Sequence, residues 1–126
     1  MSTSFLRDVH PNNVLKIKSG TVVRNLYDLA NELALIDEET FKYHVNRQKN
    51  DFYEWIYHIV RDDHLARVFA QIKDRRMMLA AVEKRVMDLE NLQRPADDGQ
   101  FHLVAKHYLL GIVIGAMAML MVSQLL

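Results

Sequence analysis

In a chain without cysteine, chemistry has to come from imidazole, carboxylate, hydroxyl or amine groups, and the six histidines are the first place to look. His58 and His64 stand on either side of Asp62 and Asp63, and imidazole with carboxylate is a donor set that zinc or iron accepts. The spacing argues against a metal. No two histidines stand four apart, as the paired ligands of an HExxH helix do, and aspartates ahead of an apolar run already have a task as helix N-caps. A second polar group, His44, Asn46 and Asn50, suits caps and hydrogen bonds more than catalysis, and so suits a binding surface. Signatures for nucleophilic or phosphate chemistry are missing: the chain has no GxSxG, no GxxxxGK[ST] and no GxGxxG. No catalytic residue, no cofactor and no metal site is expected, and the protein reads as a non-enzyme.

Lysine plus arginine equals aspartate plus glutamate at 16 each, so nothing draws the whole chain toward nucleic acid, which is not an expected partner. The missing thiols exclude disulfides and thiolate sites, and fit a reducing compartment.

The element that positions everything else is the stretch at residues 108–126, YLLGIVIGAMAMLMVSQLL, which carries no charged side chain. As a helix rising 1.5 Å per residue it would run roughly 28 Å, close to the ~30 Å hydrocarbon core of a bilayer. Residues 103–126 therefore read as a transmembrane anchor, and its place at the end of the sequence gives the layout of a tail anchor. The first twelve residues hold no apolar run like that of a signal peptide. Lys106 and His107 precede the span, with Arg94 further back; positive residues favour the cytoplasmic side. A single-pass protein with its N-terminal head in the cytoplasm is expected. Within the span, Gly111 and Gly115 form a GxxxG that Ala118 extends by a turn, a face on which two helices can approach closely.

Ahead of the anchor, residues 1–13 read as a flexible N-terminus, residues 14–92 as a small helical head and residues 93–102, with Pro95 and an Asp97-Asp98-Gly99 turn, as a hinge. Two β-branched runs around Ser19-Gly20 predict a short hairpin. Leu26, Leu29, Ala30 and Leu33 predict a helix over residues 25–35 with Asp28 and Glu32 facing out. Asp37 caps a second helix, through Phe41 and Val45. Asn50 caps a third over residues 51–60, whose Phe52, Trp55, Ile56 and Ile59 make the centre of the core. From Asp62 or Asp63 onward no proline or glycine interrupts residues 64–92, which predicts one long helix. Val68, Ile72, Arg75, Leu79, Val82, Val86 and Leu89 are spaced alternately four and three apart along it, a coiled-coil seam with Arg75 as its flaw and Arg85 and Glu90 able to attract across a parallel dimer. The far half, with Val82, Val86 and Leu89, is the candidate for a homodimer or a partner helix. Lys73, Arg75 and Arg76, then Lys84 and Arg85, form local basic patches that anionic lipid could attract; Asp74, Glu83 and Asp88 dilute them, and a solvated helix face is the simpler reading.

One run of residues is similar to a known pattern. Lys16-Ile17-Lys18-Ser19-Gly20, then Leu26 and Leu29, then residues 37–46 ending in Phe41-Lys42-Tyr43-His44-Val45-Asn46, then Asn50-Asp51-Phe52-Tyr53-Glu54-Trp55-Ile56 and Leu65-Ala66 resemble a small domain of unknown function found in archaeal and bacterial proteins. In that family an F-x-x-H-V-N segment precedes an N-D-F-x-x-W segment. The resemblance covers residues 14–72 and places His44, Asn46, Asn50, Asp51 and Trp55 at motif positions. It implies a prokaryotic cytosolic head and no assigned activity. Taken together, the expected protein is a mainly α, tail-anchored membrane protein whose head recruits a cytosolic or membrane partner. Its partner surface would be residues 44–50 with the exposed part of the long helix. The alternative is an accessory or anchoring subunit of a larger membrane enzyme or transporter complex.

Overall fold

The computed structural model describes residues 5–93. The expected hinge and the span with Gly111, Gly115 and Ala118 lie outside the described residues, apart from the hinge's first residue, Gln93. Among the described residues no helix is long and apolar enough to cross a membrane.

The head is mainly helical, with the expected hairpin at its start. Strands β1 (Leu15–Lys16) and β2 (Val22–Val23) pair antiparallel, with Leu15 opposite Val23 and Lys16 opposite Val22. The turn closes through Gly20 N–H to the Ile17 carbonyl at 2.8 Å, and Gly20 has φ of 105°. That conformation suits glycine because no Cβ is present to clash. A two-stranded ribbon is marginal alone, and this one is held by burying Ile17 and Val23 against the helices.

Five helices follow. α1 (Leu26–Leu35) starts where the Asn25 side chain accepts from Asp28 N–H, and α2 (Glu38–His44) where Asp37 accepts from Thr40 N–H. α3 (Asp51–Trp55) begins at Asn50 and passes directly into a π-helical turn, Ile56–Val60, which Arg61 ends in the left-handed region at φ 64°. α4 (Asp63–Gln71) is capped by Asp62, and α5 (Arg75–Gln93) is the longest element. α5 packs on α1 and α4. The buried apolar side chains run from Leu6 to Leu89; of the expected centre, Phe52, Trp55 and Ile56 are buried, while Ile59 packs against the cluster only partly buried.

Four expectations change. The long helix over residues 64–92 is two helices: Ile72 adopts an extended backbone at φ −125° and ψ 147°, and the Asp74 carboxylate accepts from Met77 N–H at 3.0 Å to start α5. An aspartate side chain offers the backbone an alternative to continuing the helix, and it acts here without proline or glycine. The seam is lost with the break. Val82, Val86 and Leu89 are each 0% exposed and belong to the head's own core, so they form no open seam for a second chain. Arg85 and Glu90 are likewise used internally, as described below. Glu32, expected to face out, is buried; burial raises its carboxyl above the ordinary range. Of the N-terminal stretch expected to be flexible, residues 5–13 are tied down. Leu6 enters the core, Val9 N–H donates to the Arg24 carbonyl at 2.8 Å, and the Trp55 indole N–H reaches the Asn13 carbonyl at 2.8 Å.

Candidate interaction surface

His44 lies in the last turn of α2 and is 4% exposed. Its Nε2 accepts the backbone N–H of Lys18 at 3.0 Å, and its Nδ1 faces Asp51 Oδ2 at 2.9 Å. A backbone N–H can only donate, so Nε2 is unprotonated and Nδ1–H donates to the carboxylate; the partners assign the tautomer. One ring thus joins the hairpin turn, α2 and the first turn of α3.

The rest of the polar motif closes the turn beside it. Asn46 Oδ1 accepts from the backbone of Gln48 and Lys49 at 2.9 and 3.2 Å, and Asn46 Nδ2 donates to the Lys42 and Tyr43 carbonyls at 3.0 and 3.3 Å. Val45 and Asn50 form a single antiparallel bridge across this turn. Asn50 Oδ1 caps α3 by accepting from Tyr53 N–H at 3.0 Å, while its Nδ2 donates to the Phe69 carbonyl at 3.2 Å and brings α4 alongside. The structure therefore gathers His44, Asn46, Asn50 and Asp51 in one place. Their polar groups are engaged within the fold. They brace the corner; what the corner presents outward is a different set.

That outer set is basic. Tyr43 is 46% exposed, and the Lys18 and Lys49 ammonium groups stand 4.5 and 4.1 Å from its ring centroid, within the range of cation–π attraction. Lys49 also bonds Asp51 at 3.0 Å. Lys73, in the break between α4 and α5, donates to the Asn46 carbonyl at 3.1 Å, and Lys42 and Arg47 are exposed at the same turn. Lys42, Arg47 and Lys49 lie close together in the chain but are not singled out in the sequence reading. Lys18 and Lys73 arrive only through the fold.

The histidine–aspartate cluster around residues 58–64 does not assemble. Asp62 is fully buried and held by Arg85 in a two-point pair, Nε to Oδ2 at 2.7 Å and Nη2 to Oδ1 at 3.1 Å, while also capping α4. His58 pairs at the surface with Glu54 at 3.2 Å. Among the described residues no three His, Asp or Glu side chains converge as a metal site would require. Glu90 receives the Tyr27 hydroxyl at 2.8 Å. Glu83, on the buried side of α5, is 3% exposed and takes no hydrogen bond from a described residue; desolvation pushes its carboxyl up to about 7. A shallow groove of about 260 Å³ lies beside the π-helical turn, lined by the stacked pair Tyr53 and Tyr57 with Asp63, Ala66, Arg67 and Ala70. It is smaller than the clefts that enclose typical small-molecule ligands.

Comparison with protein-family models, with curated proteins and with solved structures finds no match for this chain.

Proposed function

We propose that this protein is a membrane-anchored interaction module: residues 108–126 cross a bilayer once, and the small helical head is held at the cytoplasmic face to engage a partner. The observation that carries this reading is the uncharged nineteen-residue stretch itself, whose length matches the hydrocarbon core. Lys106 and His107 on its N-terminal flank support the orientation. The head supports a binding role because its polar motif is spent on bracing one corner, which leaves an exposed tyrosine among basic side chains as the presented surface.

The burial of Val82, Val86 and Leu89 gives weight to a second reading. With that seam closed, assembly runs through Gly111, Gly115 and Ala118, and the chain is then an accessory or anchoring subunit packed into a larger membrane complex. Extraction of membranes with alkaline carbonate separates anchoring from surface contact. The full chain is expected to stay in the membrane pellet and a chain lacking residues 108–126 to be released. A deletion variant that resists extraction would overturn the anchor. Replacing Gly111 and Gly115 by leucine then decides between the readings: loss of a large complex with the span still inserted favours the accessory subunit.

A further inference from the structure

The corner at residues 42–49 carries more positive charge than the fold around it neutralises. Lys18, Lys42, Arg47 and Lys73 are exposed and Lys49 is partly so, whereas Asp51 is committed to Lys49 and His44. Acidic and basic residues are equal in number over the chain, so this is segregation of charge and not an overall excess. Other cations that the sequence offered to a lipid surface face elsewhere: Arg85 is bound to buried Asp62, and Arg75 is turned onto the Leu33 carbonyl at 2.7 Å and Glu38.

We infer that this corner docks on the anionic headgroups of the same bilayer that anchors the chain, laying the head against the membrane; the inference rests on the anchored reading above. Several lysines and an arginine side by side attract a negatively charged leaflet, and a half-exposed tyrosine among them fits the headgroup depth where tyrosine is enriched. Reach permits it. The corner adjoins the start of α5, and the chain leaves toward the span from the other end of that helix, nineteen residues on, roughly 28 Å away. Residues 94–102, the hinge ahead of the anchor, can alone span up to roughly 30 Å, so both ends of the head can meet one surface. A tether of this length holds the corner at a high effective concentration, and a weak contact suffices.

The test uses the full chain in nanodiscs of neutral lipid and in nanodiscs containing phosphatidylserine, with the acetylation rate of each lysine read by mass spectrometry. Lys18, Lys42 and Lys49 are expected to react about threefold or more slowly in the anionic discs while Lys84 does not change, the contrast a contact confined to one face and screened beyond ~10 Å would give. Lys42→Gln with Arg47→Gln should remove the protection of Lys18 and Lys49, and Arg67→Gln with Arg76→Gln, the same charge loss elsewhere, should leave it. Equal rates in both lipids would overturn the docking. So would protection that appears only when an oligonucleotide is added to neutral discs, which would hand the surface to nucleic acid. Failure of the chain to enter neutral discs at all would instead overturn the anchor.

Discussion

Two buried residues set the head's response to pH and to substitution. The Glu83 carboxyl is raised to about 7 by burial, above its ordinary value near 4.5, so the folded state binds its proton more tightly than the unfolded chain does. Between those values folding takes up a proton, and stability falls as pH rises through 7. Glu83→Gln keeps the shape and removes the charge. It should be nearly neutral at pH 5 and stabilise the head by roughly 1–3 kcal/mol at pH 8, read from thermal unfolding at both pH values. An offset that is the same at pH 5 and pH 8 would mean that the carboxylate stays ionised against a donor outside the described residues. His44 acts through geometry. His44→Leu fills the space but leaves the Lys18 N–H without its acceptor and Asp51 without one of its donors. A cost of about 1–3 kcal/mol is expected from an unmet buried backbone donor, and the same substitution at exposed Tyr57 should cost far less.

At the scale of elements, the helices and the hairpin were legible because their signals are local. Asp37 and Asn50 cap as expected, Asp62 takes the place offered to Asp62 or Asp63, and Ser19-Gly20 turns the hairpin; Asn25, read as the first helical residue, is a cap instead. The break between α4 and α5 was not legible by the same means. Asp74 is an N-cap residue type, but it sits inside an unbroken apolar periodicity, and the packing of α5 on α1 beyond it is a contact distant in sequence. The heptad spacing then misled, because Val68 belongs to α4, Ile72 to the break, and the last three members to the core. Arg75 shows the reversal most directly. In a seam, Arg75→Leu would strengthen association. Here the guanidinium fastens the start of α5 to the end of α1, and Arg75→Leu should destabilise the head by about 1–3 kcal/mol, as loss of a charged hydrogen-bond donor does. Denaturant unfolding of residues 1–94 measures it; no loss of stability would show that the clamp contributes nothing. Of the candidate site, His44, Asn46 and Asn50 were found by residue type. Tyr43 and its lysines were missed because Lys18 and Lys73 are brought there from opposite sides in sequence.

At the scale of the whole molecule, the proposed reading leaves association to the span and not to the head. The core from Leu6 to Leu89 closes within one chain, and α5 spends its buried face, Met78, Val82, Val86 and Leu89, on its own domain. What α5 leaves exposed is scattered: Met77 lies near its start and Leu92 near its end, with Lys84 and Asp88 paired between them at 3.1 Å. Two isolated apolar side chains separated by charge make no patch of the size that holds a stable dimer. Residues 1–94 should therefore sediment as a monomer across a tenfold concentration range, and any self-association of the full chain should disappear when Gly111 and Gly115 become leucine, since the bulk holds the two backbones apart. A dimeric head would require a surface other than the heptad. A full chain that still dimerises with both leucines would remove the GxxxG face as well, and would leave the basic corner or the Tyr53–Tyr57 groove as the contact to be mutated next.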